Sequence, residues 1–202
     1  MKIALIGATG NVGSRLLAEL TRRHHTVTAI VRQPERVQAQ PGVTAEKGDV
    51  SDPQGLADVL KGHDAVISSL QFTASDPRKL LEAVRASGVN RYLIVGGAGS
   101  LEIAPGVRLV DTPNFPEAYK TEATAGAAFL DLLRGETGLD WTFLSPSALF
   151  VAGERTGKFR LGQDQLLTNA EGSRISFEDF AIALVDELEK PAHSRQRFTV
   201  GY

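Results

Sequence analysis

Residues 3–13 read Ile-Ala-Leu-Ile-Gly-Ala-Thr-Gly-Asn-Val-Gly, and this stretch decides the fold. Four consecutive apolar residues are typical of a buried strand, and the glycines that follow lead directly into a helical pattern. Gly7 permits a tight turn, Gly10 lets the backbone approach a diphosphate, and Gly13 lets helix and strand pack closely. The pattern therefore predicts a dinucleotide site, the alternative being a tight turn without a ligand. The residues of the predicted site are Gly7, Ala8, Thr9, Gly10, Asn11, Val12 and Gly13.

Further apolar runs alternate with helix-period segments along the whole chain. The later runs span residues 66–70, 92–95 and 142–144, after a second run at 27–31, and a last strand is expected over 197–200. Helices are expected over residues 14–23, after Asp52 and Asp76 with their following prolines, over about 117–134, and after Ser176. Continuous apolar strands separated by helices predict an α/β fold: a doubly wound parallel sheet of the Rossmann type. The 202 residues are expected to form one domain, 1–202.

Residues 150–172 interrupt this alternation, because they contain four glycines and no helical pattern. In an α/β domain, a late insertion of this kind often covers the site at the carboxyl ends of the strands. We therefore expect a small C-terminal lobe that covers the substrate.

The composition excludes several function classes. Twenty-two Lys and Arg against 24 Asp and Glu give a net charge of −2, which argues against a dedicated nucleic-acid binder. The absence of cysteine excludes disulfides, thiolate metal sites and a cysteine nucleophile, and it fits a cytoplasmic location. The four histidines lack ligand spacing, so we expect no metal. The first apolar run is too short for a signal peptide, and no later run approaches a membrane span.

The residue after the second apolar run bears on the choice of cofactor. A site that prefers NAD usually has an acidic residue there, which binds both ribose hydroxyls. This chain has Arg32, and the nearest acid is Glu35. An arginine can bind a 2′-phosphate, so we predict NADP(H) as the cofactor, with NAD(H) as the alternative. If Arg32 has no role in binding, it is a solvated surface side chain.

The Gly-x-x-Gly-x-x-Gly spacing resembles that of the short-chain dehydrogenase/reductase superfamily, in its extended and atypical branches. The resemblance implies that Asp49 contacts the adenine amino group and that the Val50 amide contacts a ring nitrogen. It also implies that the ribose and nicotinamide are lined by the ends of later strands. The residues at those ends are Ser68, Ser69, Leu70, Gly97, Ala98, Pro146 and Ser147.

The catalytic residues of that superfamily are incomplete here. Standard members follow the fifth strand with a serine and then with Tyr-x-x-x-Lys, whose lysine lowers the pKa of the tyrosine. In this chain Tyr119 is followed four residues later by Ala123, while the adjacent Lys120 points about 100° away on a helix. Tyr119 remains the candidate catalytic residue, the alternative being an aromatic side chain that shapes the pocket or packs the start of the helix.

Four more segments, residues 96–101, 139–146, 153–158 and 175–181, extend the resemblance over the whole chain. They are similar to atypical short-chain reductases often labelled NAD(P)H-flavin reductases, close to the NmrA-like and biliverdin-reductase-B-like groups. This implies hydride transfer from NADPH to a small planar acceptor such as a flavin or quinone, with Phe115, Phe150 and Arg155 as candidates for the acceptor pocket. Alternatives are a non-catalytic redox sensor that regulates a partner protein, and an epimerase or dehydratase with bound NAD. The chain could also form a homodimer.

Overall fold

An eight-stranded, mostly parallel sheet forms the centre of the structure, a computed structural model that describes residues 1–202. Its strands are β1 (Lys2–Ile6), β2 (Thr26–Val31), β3 (Val43–Lys47), β4 (Ala65–Ser68), β5 (Arg91–Val95), β8 (Asp140–Pro146), β10 (Arg160–Gly162) and β12 (Gln196–Gly201). Their order across the sheet is β10-β12-β8-β5-β4-β1-β2-β3, and only β10 runs antiparallel to its neighbour. The chain winds outward from β1 to β3 and then returns to the other side of β1 with β4. The predicted doubly wound sheet is confirmed, and its switch point lies between β1 and β4.

Five helices cover the two faces of this sheet. They are α1 (Asn11–Arg22), α2 (Pro53–Leu60), α3 (Pro77–Ser87), α4 (Glu117–Arg134) and α5 (Phe177–Glu189). The first and last pack on one face, where Ile3 and Leu5 of β1 are buried, and the other three pack on the opposite face with Ala4 and Ile6. Both faces of β1 are therefore buried, as the uninterrupted apolar run predicts. None of the five helices combines the length and the apolar composition that a membrane-spanning helix requires.

The helix boundaries follow from local capping. The side chains of Asp52, Asp76 and Ser176 each accept a hydrogen bond from an amide in the first turn of the helix that follows. Gly88 ends α3 in the left-handed conformation, at φ +77°. The helix expected over residues 14–23 begins earlier, at Asn11, because the glycine turn enters the helix directly. The apolar run at 66–70 forms a strand only as far as Ser68, and the run at 142–144 lies within a longer strand over 140–146.

Short strands outside the main sheet were not evident from the sequence. Residues 102–108 form a hairpin of β6 (Glu102–Ala104) and β7 (Val107–Arg108), and β9 (Leu149–Val151) pairs in parallel with β11 (Arg174–Ser176). The segment 150–172 contains no helix, as expected, and residues 153–157 of it lie against α5. The carboxylate of the fully buried Asp179 accepts hydrogen bonds from the amides of Thr156 and Gly157, both at 2.8 Å. Coverage of a substrate by this segment stays a prediction.

Candidate cofactor site

The glycine turn packs so closely that side chains are excluded from two of its positions. Gly7 has a φ of +83°, and a Cβ there would lie 2.2 Å from the carbonyl oxygen of Ser69. A Cβ on Gly13 would lie 2.0 Å from the carbonyl oxygen of Gly7. The turn, the start of α1 and the end of β4 are therefore in direct contact at the switch point of the sheet.

The amino end of α1 is open to an anion. Gly10 precedes the helix in an extended conformation, no side chain caps it, and no acidic residue occupies the first turn. Within the turn Ala8 and Gly13 are buried and Val12 is half-buried, whereas Thr9, Gly10 and Asn11 are exposed. The first amides of a helix have no intrahelical partner, and the helix dipole favours a negative charge beside them. The residues present therefore fit the diphosphate of a dinucleotide.

Arg32 and Asp49 follow the carboxyl ends of β2 and β3, the strands that lie beside β1 on the side away from β4. Arg32 is exposed directly after β2 and makes no hydrogen bond or ion pair with any other side chain. Asp49 accepts hydrogen bonds from the hydroxyl (2.7 Å) and amide (2.8 Å) of Ser51 through one oxygen. These bonds, with smaller contributions from Lys79 and Arg32, lower the pKa of the Asp49 carboxyl. Its other oxygen makes no hydrogen bond within the chain. Val50 is half-buried and packs against the hydrophobic core on the sheet face that α2, α3 and α4 cover.

The ends of β4 and β8 lie beside the crevice, but two serine hydroxyls do not face it. Ser68 is buried and its Oγ lies 2.8 Å from the hydroxyl of Tyr92, inside the protein. Ser147 is buried as well, and its Oγ donates to the carbonyl of Val200 at 3.1 Å. Both hydroxyls are therefore engaged inside the protein, and the Ser147 amide also donates to the Val200 carbonyl, at 3.1 Å. Contact of Ser68 and Ser147 with a cofactor stays a prediction. Ser69 and Leu70 are half-buried next to Gly7.

The loops after β5 and β8 come together because these strands are neighbours. The amide of Gly96 donates to the carbonyl of Leu144 at 2.8 Å. Gly97 and Ala98 follow as half-buried residues, and Pro146 ends β8 in a buried position. Phe115 is half-buried just before α4. The predicted nicotinamide-side positions therefore share one edge of the sheet.

Ala123 occupies the position at which the superfamily has its catalytic lysine. Ala123 lies against the loop after β5, since a Cβ on Gly99 would be 2.8 Å from the Ala123 Cβ. Tyr119, one turn earlier, is 67% exposed and its hydroxyl has no hydrogen-bond partner. Lys120 forms an ion pair with Glu117, at 3.9 Å. No lysine or arginine of the chain therefore forms a hydrogen bond with the Tyr119 hydroxyl.

Arg155 and Phe150, two candidates for the acceptor pocket, contact other parts of the protein. The guanidinium of Arg155 binds both oxygens of Glu19 at 2.8 and 2.9 Å, and Glu19 lies about 12 Å along α1 from its amino end. Arg155 is therefore held away from the carboxyl edge of the sheet, which corrects its assignment to the acceptor pocket. The ring of Phe150 packs 4.7 Å from that of Phe177 and 4.8 Å from that of Phe180, on the α1–α5 face. Its contacts are those of interior packing.

Glu122 and Phe72 are contact residues of the site that the sequence did not indicate. The Glu122 carboxylate accepts from the amide of Phe72 at 2.6 Å and so ties the loop after β4 to α4. The only available signal was the spacing of Tyr119, Glu122, Ala123 and Gly126, which places them along one side of a helix. Nothing in the sequence indicates what that side contacts.

Comparison with known proteins decides the family. Residues 7–191 match the model of a family described as NAD(P)H-binding. The chain belongs to this NAD(P)H-binding family. Its match begins at Gly7, the first glycine of the turn, and runs through all five helices to the residue that follows Lys190. The expected resemblance to atypical short-chain dehydrogenase/reductases is confirmed, and so is a nicotinamide nucleotide as the class of ligand.

Several known proteins are similar to this chain over nearly their full length. Protein YwnB of Bacillus subtilis is 43% identical over 211 residues, which cover 99% of this chain and 98% of that protein. A "putative epimerase" from Bacteroides thetaiotaomicron is 44% identical with a TM-score of 0.94, covering 100% of this chain and 96% of the other. A "putative NADH-flavin reductase" from Streptococcus pneumoniae is 41% identical with a TM-score of 0.85, covering 100% and 99%.

Proposed function

We propose that the protein is an NADPH-dependent reductase that transfers hydride to a small planar acceptor such as a flavin or a quinone. One observation carries the proposal: beside a complete dinucleotide turn, Ala123 packs on Gly99 where a lysine would otherwise support Tyr119. The site can therefore hold the cofactor but has no fixed, activated proton donor on α4.

This arrangement favours some acceptors over others. Reduction of a simple ketone needs a positioned acid that protonates the developing alkoxide. A flavin or quinone ring is easily reduced and can take its proton from water. For such an acceptor the chain has only to hold two rings together and exclude bulk water, which are positioning effects. Tyr119 is exposed and its hydroxyl has no partner, which is consistent with an acceptor that takes its proton from water.

Different residues of the cofactor site bind different parts of the nucleotide. The amides of residues 11–13 bind the diphosphate, since the Gly10 amide already donates to the Gly7 carbonyl. Asp49 accepts a hydrogen bond from the adenine amino group through its free oxygen. Arg32 binds the 2′-phosphate, which supports NADPH over NADH because its guanidinium has no other partner. When bound, NADPH supplies the hydride. We expect the reaction to take place in the cytoplasm.

Turnover assays test the proposal directly. Purified protein is mixed with NADPH or NADH, each with FMN, riboflavin, a soluble quinone or an aliphatic ketone, and nucleotide oxidation is followed. We expect turnover with a flavin or quinone and a preference for NADPH. Tight binding of NADPH without turnover of any acceptor would overturn the enzyme and favour a redox sensor. Rapid turnover of the ketone while free flavin is ignored would overturn the acceptor class.

A further inference from the structure

Glu122 binds the loop after β4 with both carboxylate oxygens. One oxygen accepts from the Phe72 amide at 2.6 Å, and the other accepts from the amide and the hydroxyl of Thr73 at 3.0 and 2.7 Å. Hydrogen bonds to an ionised carboxylate are stronger than those between neutral groups. The carboxylate therefore fixes the main chain of this loop against α4.

The Phe72 ring fills the gap between α4 and the loop after β5. A Cβ on Gly126 would lie 2.7 Å from this ring, and one on Gly97 would lie 3.3 Å from it. The ring also stacks with Phe143 and meets the edge of Phe129, each at 6.2 Å between centroids. The position of Gly97, a predicted nicotinamide-side residue, thus depends on where Glu122 holds Phe72.

The start of the same loop touches the glycine turn. The Ser69 amide donates to the carbonyl of Ile6 at 2.9 Å, and the Ser69 carbonyl faces Gly7. A Cβ on Gly7 would also lie 3.1 Å from a methyl group of Leu70. Residues 69–73 therefore bridge the diphosphate turn at one end and the Gly97 loop at the other.

We propose that Glu122 is a positioning residue for the nicotinamide half of the cofactor. This inference rests on the proposed function, because it assumes that a nicotinamide nucleotide lies along the crevice. The adenosine half is served by Arg32 and Asp49, which lie after β2 and β3, across the switch point from this loop. Glu122 holds only the Phe72–Thr73 end of the loop, whereas the Ser69 end keeps its own hydrogen bond to Ile6 beside the diphosphate turn. Loss of the Glu122 bonds therefore disturbs the Gly97 side of the crevice and leaves the adenosine half nearly unchanged.

Two substitutions of Glu122 separate this role from a general effect on folding. Glu122→Gln keeps the shape of the side chain, but its NH2 group cannot accept a hydrogen bond. This variant therefore loses part of the set of hydrogen bonds from Phe72 and Thr73. Glu122→Ala removes all of it. Glu117→Gln is the matched control, because the Glu117 side chain on the same helix is 89% exposed and approaches only Lys120.

The test is calorimetric titration of each variant with NADPH and with adenosine 2′,5′-bisphosphate, which lacks the nicotinamide half. We expect Glu122→Gln and Glu122→Ala to weaken NADPH binding about tenfold while the bisphosphate binds within about twofold of wild type. Glu117→Gln should bind both ligands as wild type does. A melting temperature for each protein shows which variants are folded, and if Glu122→Ala is unfolded, Glu122→Gln alone decides.

Two results would overturn the inference. One is an equal loss of both ligands in a folded variant, and the other is NADPH binding as tight as in wild type. The wild-type titration tests the proposed function separately, because a folded wild type that binds no NADPH refutes both, whereas a wild type that binds it leaves only Glu122 in question.

Discussion

A Cβ on Gly13 would lie 2.0 Å from the carbonyl oxygen of Gly7. The atom it would strike belongs to the main chain of a tight turn, so no side-chain rotation can relieve the overlap. We expect Gly13→Ala to destabilise the protein by about 1–3 kcal/mol and to abolish measurable NADPH binding. Chemical denaturation and calorimetry would measure the two effects, and a variant of wild-type stability would contradict the packing described for α1.

Gly10 should behave differently from Gly13. A Cβ there would be 3.4 Å from the Gly7 carbonyl oxygen, and the residue has an ordinary extended conformation with φ −73°. Gly10→Ala should therefore fold with nearly wild-type stability and still lose NADPH affinity, since the added methyl group faces the diphosphate. Unchanged affinity in this variant would show that the diphosphate does not approach Gly10.

Arg32 is expected to set the preference for the phosphorylated cofactor. Arg32→Glu replaces a free cation with an anion, and we expect NADPH binding to weaken by about 2 kcal/mol, or roughly thirtyfold, while NADH binding is kept. Lys190→Glu makes the same change of charge at the exposed carboxyl end of α5, on the opposite edge of the sheet. Titration with both nucleotides checks the prediction. A preference that survives Arg32→Glu, or tighter binding of NADH by the wild type, would refute it.

Tyr119→Phe tests whether α4 supplies a proton. The Tyr119 hydroxyl is without a partner, and the proposed acceptor takes its proton from water, so we expect flavin or quinone reduction to fall less than about twofold. A general acid typically contributes 10²–10⁴-fold, which makes the alternative easy to recognise. A loss of that size, with an altered pH dependence of turnover, would make Tyr119 the catalytic acid.

Glu19 links stability to pH through its pairs with Arg155 and Arg23. Burial raises the pKa of Glu19, but the hydrogen bonds from the two guanidinium groups outweigh this and lower it below the ordinary value of 4.5. A carboxyl with a depressed pKa stabilises the fold above its unfolded pKa, and this contribution is lost as the pH falls through the folded value. We expect Glu19→Gln to cost about 1–3 kcal/mol at pH 7 and progressively less below about pH 4.5.

Urea unfolding across this pH range checks the Glu19 prediction. Glu35→Gln is the matched control, because Glu35 is exposed and makes no ion pair. A Glu19→Gln deficit that is constant across the range would mean that the charge of Glu19 does not stabilise the fold.

The fold was predictable because its signals are local. An unbroken apolar run specifies β1, an aspartate followed by proline starts α2 and α3, and Ser176 caps α5. Each of these depends on residues within a few positions of one another. The positions of Gly7 and Gly13 in the site were predictable for the same reason, since the turn is a single contiguous segment.

The rest of the site depends on contacts that are distant in sequence. Arg155 was assigned to the acceptor, yet its partner Glu19 is 136 residues away. Glu122 and Phe72 meet across 50 residues. Ser68 lies at the end of a strand, and its sequence position does not show whether the hydroxyl points into the crevice or into the core. The hydroxyl of Tyr92, 24 residues away, holds it in the core. Pairing of short strands such as β9 with β11 is likewise fixed by neighbours rather than by their own composition.

The open amino end of α1 affects more than recognition. Three of the other four helices begin on a side chain that accepts from their first turn, whereas α1 has none. An anion bound at its amino end would take the place of this missing cap. A ligand held at a hundred times its Kd adds about 2.7 kcal/mol to the free energy of unfolding. Because intracellular proteolysis follows the unfolded fraction, the lifetime of this protein in a cell should rise and fall with its supply of nicotinamide nucleotide.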